Sequence, residues 1–210
     1  LNKLLISLRI KVDILHLNED RIPDLAEVNE TLLKLTGFRG VLVDGLEEGT
    51  RFYAMLANGE FPVGNFIRDR QDLSYTPAPD IVHDLYGHLP FYTDRAYADF
   101  CRAFGRAAME FAARPDLLRQ FERFFWFTAE FGLVKTPAGM RVFGAGIASS
   151  TAECDYALSG KPEVRPFSVD GVRGQEFRID VMQPVLFCLE NPEQLYGALD
   201  ELRAKVKKDA

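Results

Sequence analysis

The sequence predicts a mostly α-helical fold with a small β-sheet, an α+β arrangement in which residues 1–210 form one domain. Apolar residues recur at helical spacing in several segments, whereas the segments that look like strands are short and scattered. No internal repeat, low-complexity tract or Ser/Gly linker divides the 210 residues, and this length suits one large domain.

The composition is that of a globular protein and excludes several functional classes. Apolar residues make up 47% and charged residues 27%, and the net charge is −6. An acidic chain lacks the basic face that nucleic acids require, so we expect no nucleic-acid partner. No apolar run reaches the roughly 20 residues of a membrane span, so we expect no membrane partner. Three separated cysteines indicate reduced thiols, and we expect a cytoplasmic protein.

Helix start and stop signals organise the N-terminal half. Pro23 and Gly37 bracket an apolar stripe, and Thr50 and Gly59 bracket a second helical segment. The predicted elements are a helix over 24–36, a strand over 38–43, a helix over 50–57 and an extended piece over 62–68.

Prolines and a carboxylate organise the middle of the chain. Two prolines keep residues 75–80 extended, and Asp80 can cap a helix that starts at Ile81 and is cut short by Gly87 and Pro90. The elements predicted after it are helices over 95–112 and 116–131, strands over 140–143, 164–168 and 177–181, and a last helix opened by Asn191 and Pro192.

Two of the three histidines, His83 and His88, lie five residues apart. Neutral imidazole suits Fe, Zn, Cu and Ni, but five residues of a regular α-helix turn through about 140° net. Both rings therefore reach one ion only if the helix ends or distorts, which Gly87 and Pro90 allow. Asp80 can accept the second ring N–H of His83 and so fix its tautomer. Two unrelated histidines in an ordinary helix are the alternative.

Glu130 is the one carboxylate within the aromatic stretch at 123–132. An unpaired buried carboxylate costs several kcal/mol, so such a residue normally has a cation, a metal or a proton. With His83 and His88 it would form the 2-His-1-carboxylate triad of non-haem Fe(II) oxygenases. The alternative is that Glu130 points to solvent beside Arg123, which periodicity alone favours.

Three long motifs follow one another along the chain: YTPAPDIVHDLYGHLP at 75–90, WFTAEFGL at 126–133 and FGAGIASS at 143–150. They resemble the pterin-dependent aromatic amino acid hydroxylases, and the similarity is closest to the short bacterial phenylalanine 4-hydroxylases. It implies a single catalytic domain of that type, without a regulatory domain or a tetramerisation extension. It also implies Fe(II) held by His83, His88 and Glu130, a tetrahydropterin (tetrahydrobiopterin or a bacterial pterin), and O₂ as co-substrate.

The resemblance also implies residues that bind the amino acid substrate. Arg68 would pair with its carboxylate, although without the family a surface salt bridge with Asp69 or Asp72 is the simpler interpretation. The other substrate positions implied are Thr76 and Ser149 beside that carboxylate, Pro79 and Trp126 as pocket walls, and Ile179 as a discriminating position.

The pterin positions follow in the same way. The resemblance implies that Phe52 stacks on the pterin ring and that the backbone of Gly45 and Leu46 meets its edge. Asp84 stands where most members have Glu, which reaches the pterin through water. Phe125 replaces a frequent Tyr next to the iron, where Asp80 also lies.

Two markers of substrate choice disagree. Trp126 matches the phenylalanine and tyrosine enzymes, whereas Ile179 is more reminiscent of tryptophan hydroxylases. Because the bulk of Trp126 would fill space that an indole needs, we expect hydroxylation of L-phenylalanine to L-tyrosine, with tryptophan (5-)hydroxylation as the alternative. A zinc hydrolase with the same ligands and a non-catalytic binding domain are the alternatives from other classes. We expect a monomer.

Overall fold

The structure, a computed structural model, describes residues 6–18, 20–45, 47, 49–69 and 79–210. The chain divides into two compact units, Ile6–Glu110 and one formed mainly by Phe111–Ala210, named here the N-terminal and C-terminal units. Within the described ranges, no helix has both the length and the apolar character needed to cross a membrane.

The N-terminal unit is mainly helical. Its elements are α1 (Ile6–Ile14), α2 (Leu25–Leu35), β1 (Arg39–Val43), α3 (Gly49–Ala57), β2 (Glu60–Gly64), a π-helical turn (His83–His88), a 3₁₀ turn (Leu89–Thr93) and α4 (Arg95–Met109). β1 and β2 pair in parallel. The carboxylates of Asp24 and Asp94 accept hydrogen bonds from backbone N–H groups in the first turns of α2 and α4, as N-caps do.

Helices α3 and α4 approach each other closely at a glycine. A methyl group added to Gly105 of α4 would lie 2.5 Å from both the backbone nitrogen of Ala57 and the carbonyl oxygen of Tyr53. Such distances are far inside van der Waals contact, so only glycine permits this packing.

The C-terminal unit combines helices with a four-stranded sheet. Its elements are α5 (Pro115–Phe125), a π-helical turn (Trp126–Glu130), β3 (Gly132–Thr136), β4 (Gly139–Val142), α6 (Ala145–Ala148), α7 (Thr151–Ala157), β5 (Glu163–Pro166), α8 (Val169–Gly174), β6 (Val185–Leu189) and α9 (Pro192–Lys208). The strand order is β4-β3-β6-β5, with β3 and β4 antiparallel and the other pairs parallel. Leu133, Val142 and Leu186 belong to the buried core on this sheet.

The predicted strand over 177–181 is wrong. Residues 175–178 have no regular structure, and residues 179–180 form a turn. The buried amide of Gln183 donates to the carbonyls of Arg178 (2.7 Å) and Val181 (2.8 Å), which closes the segment into a loop. The strand that pairs in parallel with β3 is β6. The helix predicted over 116–131 is α-helical only as far as Phe125.

Replacing Gly105 by Ala tests the packing of α3 on α4. We expect the free energy of unfolding to fall by about 1–3 kcal/mol, because the added methyl overpacks the contact. Urea denaturation of the full chain measures this change.

Gly197→Ala in α9 is the matched control, because a methyl group there has no atom within 4 Å. It should raise the free energy of unfolding by about 0.5–1 kcal/mol, since alanine is the better helix former. A Gly105→Ala protein as stable as the parent would show that α3 and α4 do not need this close approach.

Candidate metal centre

The two histidines lie on the π-helical turn His83–His88, which is the distortion that their spacing requires. The backbone N–H of Leu89 donates to the carbonyl of Asp84, five residues earlier, as in a π-helix. This wider turn brings residues five apart to one side, and the Nε2 atoms of His83 and His88 lie 3.1 Å apart. The two imidazoles therefore present their nitrogens to one point.

Asp80 supports this turn through the backbone. Its Oδ1 accepts a hydrogen bond from the backbone N–H of His83 (3.0 Å), and its two oxygens accept from the Arg68 side chain at 2.7 and 3.0 Å. This contact runs to the backbone N–H of His83, and the bond expected to its ring stays a prediction. Burial disfavours the charged carboxylate, but the Arg68 and backbone hydrogen bonds outweigh it and hold the pKa of Asp80 below its usual range.

Glu130 ends the second π-helical turn, Trp126–Glu130. The backbone N–H of Phe131 donates to the carbonyl of Trp126 at 2.8 Å, again across five residues. The chain then enters β3, which begins at Gly132. Glu130 is half-buried, so its carboxylate lies at the point where a helix widens and changes into a strand.

Two glycines of the third motif allow the chain to pass against Glu130. A methyl group on Gly144 would lie 2.2 Å from the carbonyl oxygen of Glu130, and one on Gly146 would lie 3.1 Å from it. At these two glycines the motif therefore makes a close backbone approach that a side chain would block.

The donors of the three predicted ligands converge. His83, His88 and Glu130 each offer one ligand atom, and these atoms lie within 4.8 Å of one another. Nitrogen and oxygen donors about 2.1 Å from one ion are at most about 4.2 Å apart, so small side-chain shifts suffice to share an ion. Two imidazole nitrogens and one carboxylate oxygen fit Fe(II) with open coordination positions.

Comparison with known proteins identifies the family. The family model described as biopterin-dependent aromatic amino acid hydroxylase matches residues 6–209. The chain belongs to this family of hydroxylases.

Relatives in this hydroxylase family include phenylalanine-4-hydroxylases of Caulobacter vibrioides, 40% identical over 93% of this chain, and of Chromobacterium violaceum, 38% identical over 88%. The chain spans 69% of the first protein's length, 62% of the second's and 59% of that of the Ralstonia nicotianae phenylalanine-4-hydroxylase.

Solved structures of the family share the fold. A Chromobacterium violaceum phenylalanine hydroxylase with bound iron(III) and 7,8-dihydrobiopterin has a TM-score of 0.91 at 34% identity, covering 99% of this chain and 76% of its own. Phenylalanine hydroxylase from Legionella pneumophila has the same TM-score and identity, covering 99% of this chain and 90% of its own.

The four residues expected to bind a pterin belong to the N-terminal unit. Phe52 of α3 is half-buried and meets Phe61 edge to face at 6.1 Å, and Phe61 stacks on His88 at 4.5 Å. Gly45 has a φ of +91°, which favours glycine, and Leu46 lies outside the described residues. Phe61, which links Phe52 to a ligand, was missed because a strand phenylalanine looks like any core residue.

Asp84 is 3% exposed, which bears on its expected role towards the pterin. Its Oδ2 accepts a hydrogen bond from the backbone N–H of Gly64 (2.8 Å), and its Oδ1 lies 4.0 Å from Nε2 of His83. Its shorter side chain is therefore tied to the end of β2 and lies beside a ligand.

The residues of the C-terminal unit that are expected to bind the substrate differ in their surroundings. The Trp126 indole is half-buried against the rings of Phe131 and Phe177, and the Ser149 hydroxyl donates to the carbonyl of Ala145 (2.9 Å). Phe125 is buried, and Ile179 is 46% exposed in its turn.

The other residues expected to bind the substrate belong to the N-terminal unit. Pro79 is half-buried next to Asp80, and Thr76 lies outside the described residues. Arg68 forms a salt bridge with Asp80 and not with Asp69, and Asp72, the other partner of the simpler interpretation, lies outside the described residues.

Removing Arg68 should destabilise the fold. In Arg68→Ala the carboxylate of Asp80, 2% exposed, loses its cation, so we expect the free energy of unfolding to fall by about 3 kcal/mol in urea denaturation. Arg39→Ala is the control, because the Arg39 side chain is 53% exposed in its pair with Glu60; its effect should stay below about 1 kcal/mol. Equal effects of the two changes would contradict a buried ion pair.

Gly144→Ala should weaken metal binding, because the added methyl forces the Glu130 backbone to move. We expect an Fe(II) affinity lower by about 10- to 100-fold, the range for groups that position a ligand. Competition with a chromogenic chelator measures it. Gly174→Ala, where a methyl group meets nothing within 4 Å, is the control, and unchanged affinity in both variants would show that Gly144 does not position Glu130.

Proposed function

We propose that this chain is the catalytic part of a non-haem Fe(II), tetrahydropterin-dependent monooxygenase that hydroxylates L-phenylalanine to L-tyrosine. The observation that carries the proposal is the convergence of the donors of His83, His88 and Glu130 in a member of the aromatic amino acid hydroxylase family. The three relatives named above, each a phenylalanine-4-hydroxylase, support the choice of substrate.

The metal and the pterin supply the redox chemistry. Fe(II) and a tetrahydropterin together activate O₂ for insertion of one oxygen atom into the substrate ring. The task of this chain is to hold the iron through two neutral imidazoles and one carboxylate, which leaves coordination positions open. Phe61, stacked on His88, fixes one imidazole plane and excludes water from that side.

Arg68 binds the carboxylate of the amino acid in this proposal. Asp80 engages its Nε and Nη2 atoms, and a guanidinium has five N–H donors, so the Nη1 donors are left for a second carboxylate. Asp80 also holds the guanidinium in a fixed plane, which lowers the entropy lost when the substrate binds.

Trp126 supports a one-ring substrate. Its indole lies among aromatic rings, where it fills space that a second ring would need. Ile179, the marker that favours tryptophan, is 46% exposed, so its side chain is a weaker wall than the half-buried Trp126. These surroundings therefore support phenylalanine as the substrate.

The activity is tested with an oxygen electrode. The full chain is loaded with Fe(II) and assayed with a tetrahydropterin and each aromatic amino acid, and the products are identified by mass. We expect tyrosine from phenylalanine with consumption of O₂. Activity that follows zinc and needs no O₂ would identify a hydrolase, and pterin binding without any turnover would identify a binding domain.

Glu130→Gln tests the carboxylate ligand. The amide keeps the shape but loses the charge, so we expect weak Fe(II) retention and at most a few per cent of the parental turnover, with an unchanged melting temperature of the metal-free chain. Glu190→Gln, a change at an exposed carboxylate of the same unit, should retain parental activity. Full turnover of Glu130→Gln would remove this residue from the metal site.

The monomeric state and the cytoplasmic location stay predictions of the sequence. Light scattering coupled to size-exclusion chromatography measures the molar mass in solution, and a mass of twice 23.7 kDa would contradict a monomer.

A further inference from the structure

The orientation of Trp126 is held by ring contacts. Its indole is stacked on Phe177, with centroids 4.3 Å apart and planes 13° from parallel, and it lies 4.6 Å from Phe131. The indole Nε1–H is buried, and among the described residues it has no hydrogen-bond acceptor. The polar end of the indole therefore does not anchor it, and its plane depends on the neighbouring rings.

Of those two rings, Phe177 belongs to a separate segment. Phe131 follows Glu130 directly, so its position is coupled to that of the ligand. Phe177 lies in the irregular segment between α8 and β6 and meets Phe127 edge to face at 6.3 Å. Phe177 is thus the contact through which the indole plane can change while the chain around Glu130 stays in place.

Arginines of α5 hold Phe177 in place. The guanidinium carbon of Arg119 lies 4.8 Å from the centroid of the Phe177 ring, a cation–π contact. The preceding residue, Glu176, forms ion pairs with Arg119 and Arg123. The ring is therefore fixed by its own contacts and by the anchoring of its neighbour.

We propose that Phe177 is a positioning residue for substrate choice: its ring fixes the plane of the Trp126 indole, and this plane decides which aromatic amino acids are accepted. The proposal rests on the proposed function, in which Trp126 is a wall of the amino acid pocket. Without the stack, the indole can rotate and open space for a two-ring substrate, so the preference for phenylalanine over tryptophan weakens.

Phe177→Leu tests the proposal, because it removes the ring while it keeps most of the apolar volume. We expect the ratio of kcat/KM for L-tryptophan to kcat/KM for L-phenylalanine to rise about three- to tenfold, the range that one aromatic pair corresponds to. The fall in kcat/KM for phenylalanine should come mainly from a higher KM, because the substitution changes substrate binding and leaves the metal ligands in place.

The packing of the indole is measured independently of turnover. Trp126 is the only tryptophan of the chain, so fluorescence of the full chain without amino acid reports on this side chain alone. In Phe177→Leu we expect a red-shifted emission and stronger quenching by acrylamide. Phe177→Tyr, which keeps the ring, should restore both the emission and the substrate ratio.

Phe167→Leu is the matched control, since it removes a ring of the same unit that contacts Phe124. It should change neither the tryptophan emission nor the substrate ratio. If Phe177→Leu does not fold, Arg119→Gln takes its place, because it removes the cation from the Phe177 ring and should shift both measurements in the same direction by a smaller amount.

The outcomes separate the two proposals. A parent chain that hydroxylates no aromatic amino acid overturns the proposed function. A parent chain that is active, with an unchanged substrate ratio in Phe177→Leu, overturns the role of Phe177, whether or not the emission changes. An equal fall in kcat/KM for all aromatic amino acids also overturns the role of Phe177, because such a fall shows a general loss of structure.

Discussion

Two turns of π-helix carry the candidate metal ligands, and the rest of the site depends on them. A regular α-helix turns residues five apart to different sides, whereas the wider turn brings the Nε2 atoms of His83 and His88 to 3.1 Å. Glu130 ends the other π-helical turn, immediately before the chain enters β3. The π-helix is rare in proteins, and where it occurs it is often at a functional site. Contacts with the surrounding residues support both turns.

Different groups support the two turns. Asp80 caps the histidine turn through the backbone N–H of His83 and binds Arg68 with the same carboxylate. One buried charge thus orients a metal ligand and the cation proposed to bind the substrate. The other turn depends on two glycines that let the backbone pack closely against it. A methyl group on Gly132 would lie 2.3 Å from the carbonyl oxygen of Thr128, and one on Gly144 would lie 2.2 Å from the carbonyl oxygen of Glu130.

Sequence reasoning failed where a local pattern had more than one structural solution. Phe177, Ile179 and Val181 alternate as in a strand, but in the fold the Phe177 ring stacks on Trp126 and the other two are exposed. The true strand, β6, is a continuous apolar run, which is typical of a strand flanked by parallel neighbours and cannot be distinguished locally from buried helix. The Asp80 carboxylate contacts the predicted neighbour, His83, through its backbone N–H, and the bond expected to the ring stays a prediction.

The sequence by itself determined the class of fold, the types of the ligands and the family, because residue identity, helix signals and long motifs are local properties of the chain. It also implied a distorted helix at His83–His88 if both rings bind one ion, since five residues of a regular helix turn them to different sides. Only the tertiary structure decided that the distortion is a π-helix, that Arg68 pairs with Asp80, and that Phe177 stacks on a tryptophan 51 positions earlier (177 − 126 = 51). The physical reason is that contacts between distant residues depend on the path of the whole backbone, which no local periodicity encodes.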